Sequence, residues 1–299
     1  MNPLLRIFIN VIIFCSASIL AFDPFEFVFA KPVSELSFST RLIEITDIKS
    51  YFFYTALVLI AYVSVYFIVG SALEYSNPTP KTEERVASTK KQMMMGFQAL
   101  LYVVSFTTLW LWKVDPLTHY YGYYETTPYS FKSFFLNLFI YLFVFDTWFY
   151  WTHRLLHLKF FWNQVHHVHH QFLEPTAFAQ DAVHWFEGIL QGPMGHVLTT
   201  LVYPMHPIAV NAFGFLTSIY ALLAHDGRIL DLNDHMKHHH YKSCNFGLYW
   251  GFWDYLFDTR YSRKKFPDLY IPSWLRNNEE SVKKEQELQK KEFQEEKIF

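Results

Sequence analysis

The chain has 299 residues and a mass of 35.7 kDa, enough for one large domain or two small ones. Hydrophobic residues make up 52%, aromatics 20% and charged residues 17%, a balance that argues against disorder. Two cysteines, Cys15 and Cys244, do not make a disulfide scaffold, and a net charge of −2 leaves no basic excess for nucleic acid. A mean hydropathy of +0.06 averages two opposite populations, apolar runs and a charged tail.

A bilayer core about 30 Å thick takes roughly 20 mostly apolar residues in a helix. In chain order, residues 4–22 are apolar apart from Arg6 and Asn10, and read as a span or a cleaved signal peptide. Residues 52–73 and 93–112 carry no charge, and 131–151 hold only Lys132 and Asp146. Residues 186–225 are long enough for two segments, broken near Tyr203-Pro204-Met205-His206-Pro207. So many runs in one chain predict an all-α, multi-span membrane protein. The chain divides into N-terminal spans (1–130), a histidine-rich region (131–265) and a charged tail (266–299), whose end, residues 277–299, reads as a solvated helix or disorder.

Positive charge predicts the orientation. The 74–92 connection carries Lys81, Arg85, Lys90 and Lys91, and reads as cytosolic. The 23–50 and 113–130 stretches then lie on the far side. Following the chain, the segment after Trp151 is cytosolic; if 186–225 goes in and returns, everything after it, with Arg260, Arg263, Lys264 and Lys265, is cytosolic too.

Histidine is the unusual residue: there are 15, and 14 of them lie between His153 and His240. Three clusters stand out: His153…His157, His166-His167-Val168-His169-His170, and His235-Met236-Lys237-His238-His239-His240. Side chains three and four apart share a helix face, so His153, His157, His166, His169, His170, His235, His238 and His239 are predicted to converge. One ion in a structural site takes four ligands, so this number suits two. Imidazole binds zinc, copper, iron and nickel. His119, His167, His196, His206 and His240 fall outside the pattern and have the ordinary explanations of a lone histidine. A membrane zinc hydrolase is one rival, although H-E-x-x-H with its general base is absent; a metal-handling membrane protein is another.

These boxes resemble those of the fatty acid hydroxylase/sterol desaturase superfamily over roughly residues 131–261. Within it the chain most resembles the sterol C-5 desaturase (lathosterol oxidase) branch. The resemblance there is carried by Phe178-Ala179…Ala182-Val183-His184 with Leu190-Gln191, by His225-Asp226-Gly227, and by Asn245-Phe246-Gly247 with Trp253-Asp254. Trp185 stands where the family has Pro, Leu248 where it has Gln, Tyr255 where it has Arg, Asp258 where it has Gly, and Asp181 where it often has His. Cys244-Asn245-Phe246 also resembles sterol side-chain hydroxylases, so the sterol position is left open.

The resemblance implies that the eight box histidines, with His225 and His184, ligate two iron ions, for which zinc could substitute in a purified sample. Asp146, Asp181, Asp226 and Asn245 are the candidates to orient imidazoles by accepting their free N–H. It implies a dioxygen-dependent oxidase in the endoplasmic reticulum membrane that introduces a C-5(6) double bond into a delta-7 sterol drawn from the bilayer. Electrons would come through cytochrome b5 and its NAD(P)H-dependent reductase. A sterol hydroxylase or C-4 methyl oxidase is the alternative within the superfamily. Trp148, Tyr150, Trp151, Trp185, Phe186, Tyr249 and Trp250 could line a substrate cavity, packing being the ordinary reading of each.

Overall fold

The computed structural model describes residues 45–295; the run at 4–22 lies outside them. Among the described residues, every regular element is helical. Helix α1 (Ile48–Ser76) starts at a capping box in which Asp47 accepts from the Ser50 N–H at 2.7 Å. Its apolar side chains face all round, with Phe52, Ile60 and Ile68 more than 60% exposed. That suits a helix whose solvent is lipid. Helix α2 (Glu83–Lys113) follows, capped by Thr82, and then a four-residue turn of helix, α3 (Tyr123–Thr126). Helix α4 (Phe131–Leu156) begins at the Ser130 cap and carries the first histidine box on its last turn.

After α4 come α5 (Lys159–Gln164), a 3₁₀ turn over His166–Val168, and a second over Ala177–Asp181. The long apolar run expected to make two segments is α6 (Trp185–Gln191), α7 (Pro193–Val202) and α8 (Pro207–Asp226). The expected break at residues 203–207 is present, but the inbound limb is itself split. Pro193 has no N–H to continue α6, so α7 restarts there. Among the described residues, four helices are long and apolar enough to cross a membrane: α1, α2 with its 3₁₀ extension to Leu117, α4 and α8. The third box lies on α9 (His235–Tyr241); α10 (Phe252–Leu256) and a tail helix α11 (Glu279–Glu295) complete the order. The tail is thus helical over Glu279–Glu295.

Close approach holds α1, α2 and the 177–181 turn together. Gly96 lets Tyr66 of α1 reach across α2: a Cβ there would lie 2.0 Å from the Tyr66 hydroxyl oxygen. That hydroxyl donates to the Phe178 carbonyl at 2.9 Å, and Gly70 leaves room for the Phe178 ring. Gln92, wholly buried, accepts from both the N–H and the hydroxyl of Thr176.

Interhelical contacts sort the connections onto two ends. At one end, Arg228, just past α8, donates to the carbonyls of Leu73 and Ser76, and Lys91 pairs with Gln171. At the other, Asn137 of α4 donates to the Pro204 carbonyl and accepts from the His206 N–H. Tyr124 reaches the same carbonyl. The 74–92 connection therefore lies at the end that carries the histidine boxes, and 113–130 at the opposite end.

Candidate metal centre

Nine histidines converge in two adjoining groups. His153, His157, His166, His170 and His238 form one; His169, His225, His235 and His239 form the other. Within each group, one nitrogen per ring lies within 4.8 Å of all the others. The helical repeat explains the division. Residues i and i+4 are about 40° apart around a helix and i+3 falls about 60° on the other side. In H-x-x-H-H the outer pair therefore serves one group and the middle histidine the other. His166 and His170 flank one group while His169 turns to the second, and His235 and His239 serve the second while His238 returns to the first. The second box does this from a 3₁₀ turn continued by His169 in helical backbone, with the His170 N–H on the His166 carbonyl at 3.2 Å, rather than from an α-helix.

The donor chemistry fits metal ions. Ring nitrogens face one another without an intervening polar group: Nε2 of His166 is 3.0 Å from Nε2 of His157, and that of His238 is 3.1 Å from that of His170. In the second group, Nε2 of His225 is 3.1 Å from that of His235 and 3.4 Å from that of His169. His239 is wholly buried with neither ring nitrogen hydrogen-bonded. Orphaned buried nitrogens in this number are costly unless a cation collects their lone pairs. Burial, reinforced by the neighbouring rings, pushes His157 down to about 2 and holds His166, His169, His170, His235, His238 and His239 well below the ordinary imidazole value. The rings are therefore neutral, the form that binds metal.

His184, expected as a tenth ligand, is not brought into either group. It is half-buried and its Nδ1 accepts from the Phe186 N–H, so it caps α6. The five histidines given ordinary roles also stay outside. His167 bonds the Trp162 carbonyl, His196 the Tyr141 hydroxyl, and His206 packs against Tyr124 and Tyr129. His240 packs on Tyr270 and His119 on Tyr120. His196 also lines a cavity of about 90 Å³ with Trp110 and Tyr121, at the end opposite the histidine groups.

The four residues expected to orient imidazoles do something else. Asp146 accepts from the N–H groups of Leu248 and Tyr249 at 2.9 and 2.8 Å. Asp226 pairs with Arg228 at 2.9 Å and so ties α8 to α1. Asn245, in left-handed backbone, accepts from the Tyr261 N–H and donates to the Asp234 carbonyl. Asp181 accepts from the Gln180 amide. A histidine ring meets none of them in these contacts, because short carboxylates on the flanking segments find backbone N–H groups or a neighbouring side chain first.

The rings are oriented mainly by backbone carbonyls. Nδ1 of His153 donates to the Phe246 carbonyl at 2.9 Å, that of His238 to the Cys244 carbonyl at 2.7 Å, and that of His225 to the Ala221 carbonyl at 2.8 Å. Two of these carbonyls belong to the 244–249 loop. Asp254, wholly buried, accepts from the N–H groups of Phe246 and Gly247, from the Asn233 amide and from the Thr259 hydroxyl. Asp146 holds the far end of the same loop. The N-F-G and W-D motifs are thus one device: a clamped loop presenting carbonyls to two histidines. Glu187 completes the picture: its Oε1 lies 2.8 Å from Nδ1 of His166, both side chains being at most 1% exposed. Sequence reasoning missed it, although it is the only acidic residue between Ala182 and His206.

The aromatic candidates mostly pack. Tyr150 and Tyr249 are buried and bonded to Thr259 and Thr217, and Trp148 donates to the Leu190 carbonyl. Trp151, Trp185 and Phe186 are exposed.

Residues 138–259, which contain every histidine of both groups, match the fatty acid hydroxylase family. Human lathosterol oxidase is 26% identical over 224 residues, covering 71% of this chain and 72% of the human protein. A Delta(7)-sterol 5(6)-desaturase of Leptosphaeria maculans is 32% identical over 118 residues, or 37% of this chain and 33% of that one. One from Schizosaccharomyces pombe is 27% identical over 183 residues, covering 58% and 59%. The chain thus spans between a third and under three quarters of these relatives' length. No solved structure matches. The chain is thus similar to the fatty acid hydroxylase family over residues 138–259, and to a lathosterol oxidase and Delta(7)-sterol 5(6)-desaturases over longer or shorter stretches.

Proposed function

We propose that this protein is a membrane di-iron oxidase that introduces a C-5(6) double bond into a delta-7 sterol. The observation that carries the oxidase reading is the pair of adjoining all-histidine groups, five and four rings, at the membrane-helix ends. The sterol reading rests on similarity to the lathosterol oxidase and the Delta(7)-sterol 5(6)-desaturases. Two iron ions bound there supply dioxygen activation and the oxidising power to break an unactivated C–H bond, which no side chain provides. The overall reaction balances with four electrons: two leave with the two substrate hydrogens and two come from a donor, reducing dioxygen to two waters.

The chain's own contribution is placement. The Phe246 and Cys244 carbonyls fix the tautomers of His153 and His238, so each presents Nε2 to the centre. Asp146 and Asp254 stiffen the loop that carries those carbonyls. The Phe246 ring packs on His153, His157 and His238 and keeps water from them. The site's place at the inner ends of α4 and α8 lets an apolar substrate approach from the bilayer. Electrons come from cytochrome b5 and its NAD(P)H-dependent reductase on the cytosolic side of the endoplasmic reticulum membrane, the side assigned by the basic 74–92 connection.

The test is sterol profiling of a strain without its own C-5 desaturase, expressing the intact chain or His169→Ala. The 5,7-diene should appear with the intact chain alone. An accumulating hydroxysterol would transfer the assignment to a hydroxylase, the reading that the fatty acid hydroxylase match favours. Unchanged sterols despite iron- and dioxygen-dependent turnover would overturn the substrate class.

A further inference from the structure

The two histidine groups differ in what stands behind their rings. His153, His238 and His225 donate to neutral carbonyls. Nδ1 of His170, His235 and His239 has no hydrogen-bond partner, and His169 faces the neutral Ala182 backbone. Among the described residues only His166 meets a carboxylate, Glu187, and that carboxylate is itself unusual. It is 1% exposed, its second oxygen has no partner, and among the described residues no lysine or arginine pairs with it. It projects from the first turn of α6, whose start is fixed by the His184 cap.

A carboxylate buried this deeply is held ionised only by a compensating positive charge. The one within reach is an ion held on the other side of the His166 ring. Nε2 of His166 points into the five-histidine group, 3.0 Å from Nε2 of His157. A ring that ligates through Nε2 carries its hydrogen on Nδ1, where Glu187 accepts it at 2.8 Å. A carboxylate behind a ligand fixes the ring and strengthens its donor nitrogen. The four-histidine group has no counterpart.

We propose that Glu187 is a positioning residue that makes the five-histidine group the tighter of two unequal metal subsites. This rests on reading both groups as metal sites. The consequence is order: the four-histidine subsite fills last and empties first, and its ion is the one lost on purification.

The test uses the full chain in lipid nanodiscs, loaded anaerobically with Fe(II) and titrated with an Fe(II) chelator while the retained iron is counted. The intact protein should release its two ions in separate steps. Glu187→Gln, nearly the same shape without the charge, should bring the later step forward by about 10–100-fold in chelator concentration and leave the earlier one unchanged. In a His166→Ala background Glu187→Gln should add no further shift, because the effect runs through that ring. Glu187→Asp, which keeps the charge on a shorter stem, should recover part of the loss.

Simultaneous release of both ions from the intact protein overturns the proposal, whether or not any variant accumulates. So does a Glu187→Gln protein that weakens both steps equally, as a merely structural role would, or neither. An intact protein that takes up no stoichiometric metal overturns the metal-site reading and this inference together.

Discussion

At the scale of single residues, spacing and position decide which histidines matter. His239 and His184 are both imidazoles near a box, but only His239 sits with both nitrogens buried and unpaired inside a group. His239→Ala should therefore lose one of two bound metals by elemental analysis, and His184→Ala should keep both; loss from His184→Ala would place it back among the ligands. Asp254 acts one step further out. Asp254→Asn replaces an acceptor of four hydrogen bonds by a group that offers one acceptor oxygen and two donors. It leaves loop N–H groups unpaired at about 1–3 kcal/mol each. A lower unfolding temperature and reduced metal content should follow, and a fully metallated variant with an unchanged unfolding temperature would remove the clamp from the account. The imidazoles also set an acid limit for the metal-free protein. Their values in the fold are pushed below the ordinary 6.5, so the unfolded chain binds more protons below that pH. The neutral rings' contribution is complete above about 6.5 and is lost as pH falls below it. Thermal unfolding of chelator-stripped protein should show a midpoint steady from pH 8 to 7 and falling toward pH 5; a midpoint rising on acidification contradicts this.

At the scale of elements, apolar runs and histidine phasing were legible because both are periodic. Residues 52–73, 93–112 and 131–151 lie within helices with good caps, and H-x-x-H-H on α9 distributes its rings as helix geometry requires. What sequence could not show is contact between distant segments. His166 and Glu187 are 21 residues apart, and Asp146 meets Leu248 102 residues on. Asp146, Asp181, Asp226 and Asn245 make their contacts away from the rings, and His153 is held instead by the Phe246 carbonyl of a loop 93 residues on. The close crossing of α1 and α2 is equally invisible in a hydropathy profile, since it depends on Gly96 lying under Tyr66. Gly96→Ala puts a methyl group into that hydroxyl and should cost about 1–3 kcal/mol. Pairing it with Tyr66→Phe should recover part of the loss, as measured by thermal unfolding. If Gly96→Ala unfolds like the intact protein, the helices do not touch there.

At the scale of the whole molecule, charge along the sequence and contacts in the fold reach the same division independently. The positive 74–92 connection was assigned to one compartment by its lysines and arginines alone. In the fold that connection meets the histidine end through Arg228, which bonds the Leu73 and Ser76 carbonyls, and through Thr79, whose hydroxyl lies 3.3 Å from that of Ser273. The 113–130 connection packs instead beside Pro204 and His206, at the opposite end of α4. On the proposed function, a metal centre at the basic end is the one that a cytosolic electron donor and a substrate from the bilayer would both reach. Cysteines placed one at a time at Glu84, Lys264 and Leu117 test the division directly, because all three positions are exposed. In sealed microsomes, with the unsubstituted chain as background, an impermeant maleimide should label Glu84→Cys and Lys264→Cys before permeabilisation and Leu117→Cys only after it. Labelling of Glu84→Cys and Lys264→Cys from opposite sides would break the shared compartment. Labelling of all three from the outside would mean that α2 does not cross.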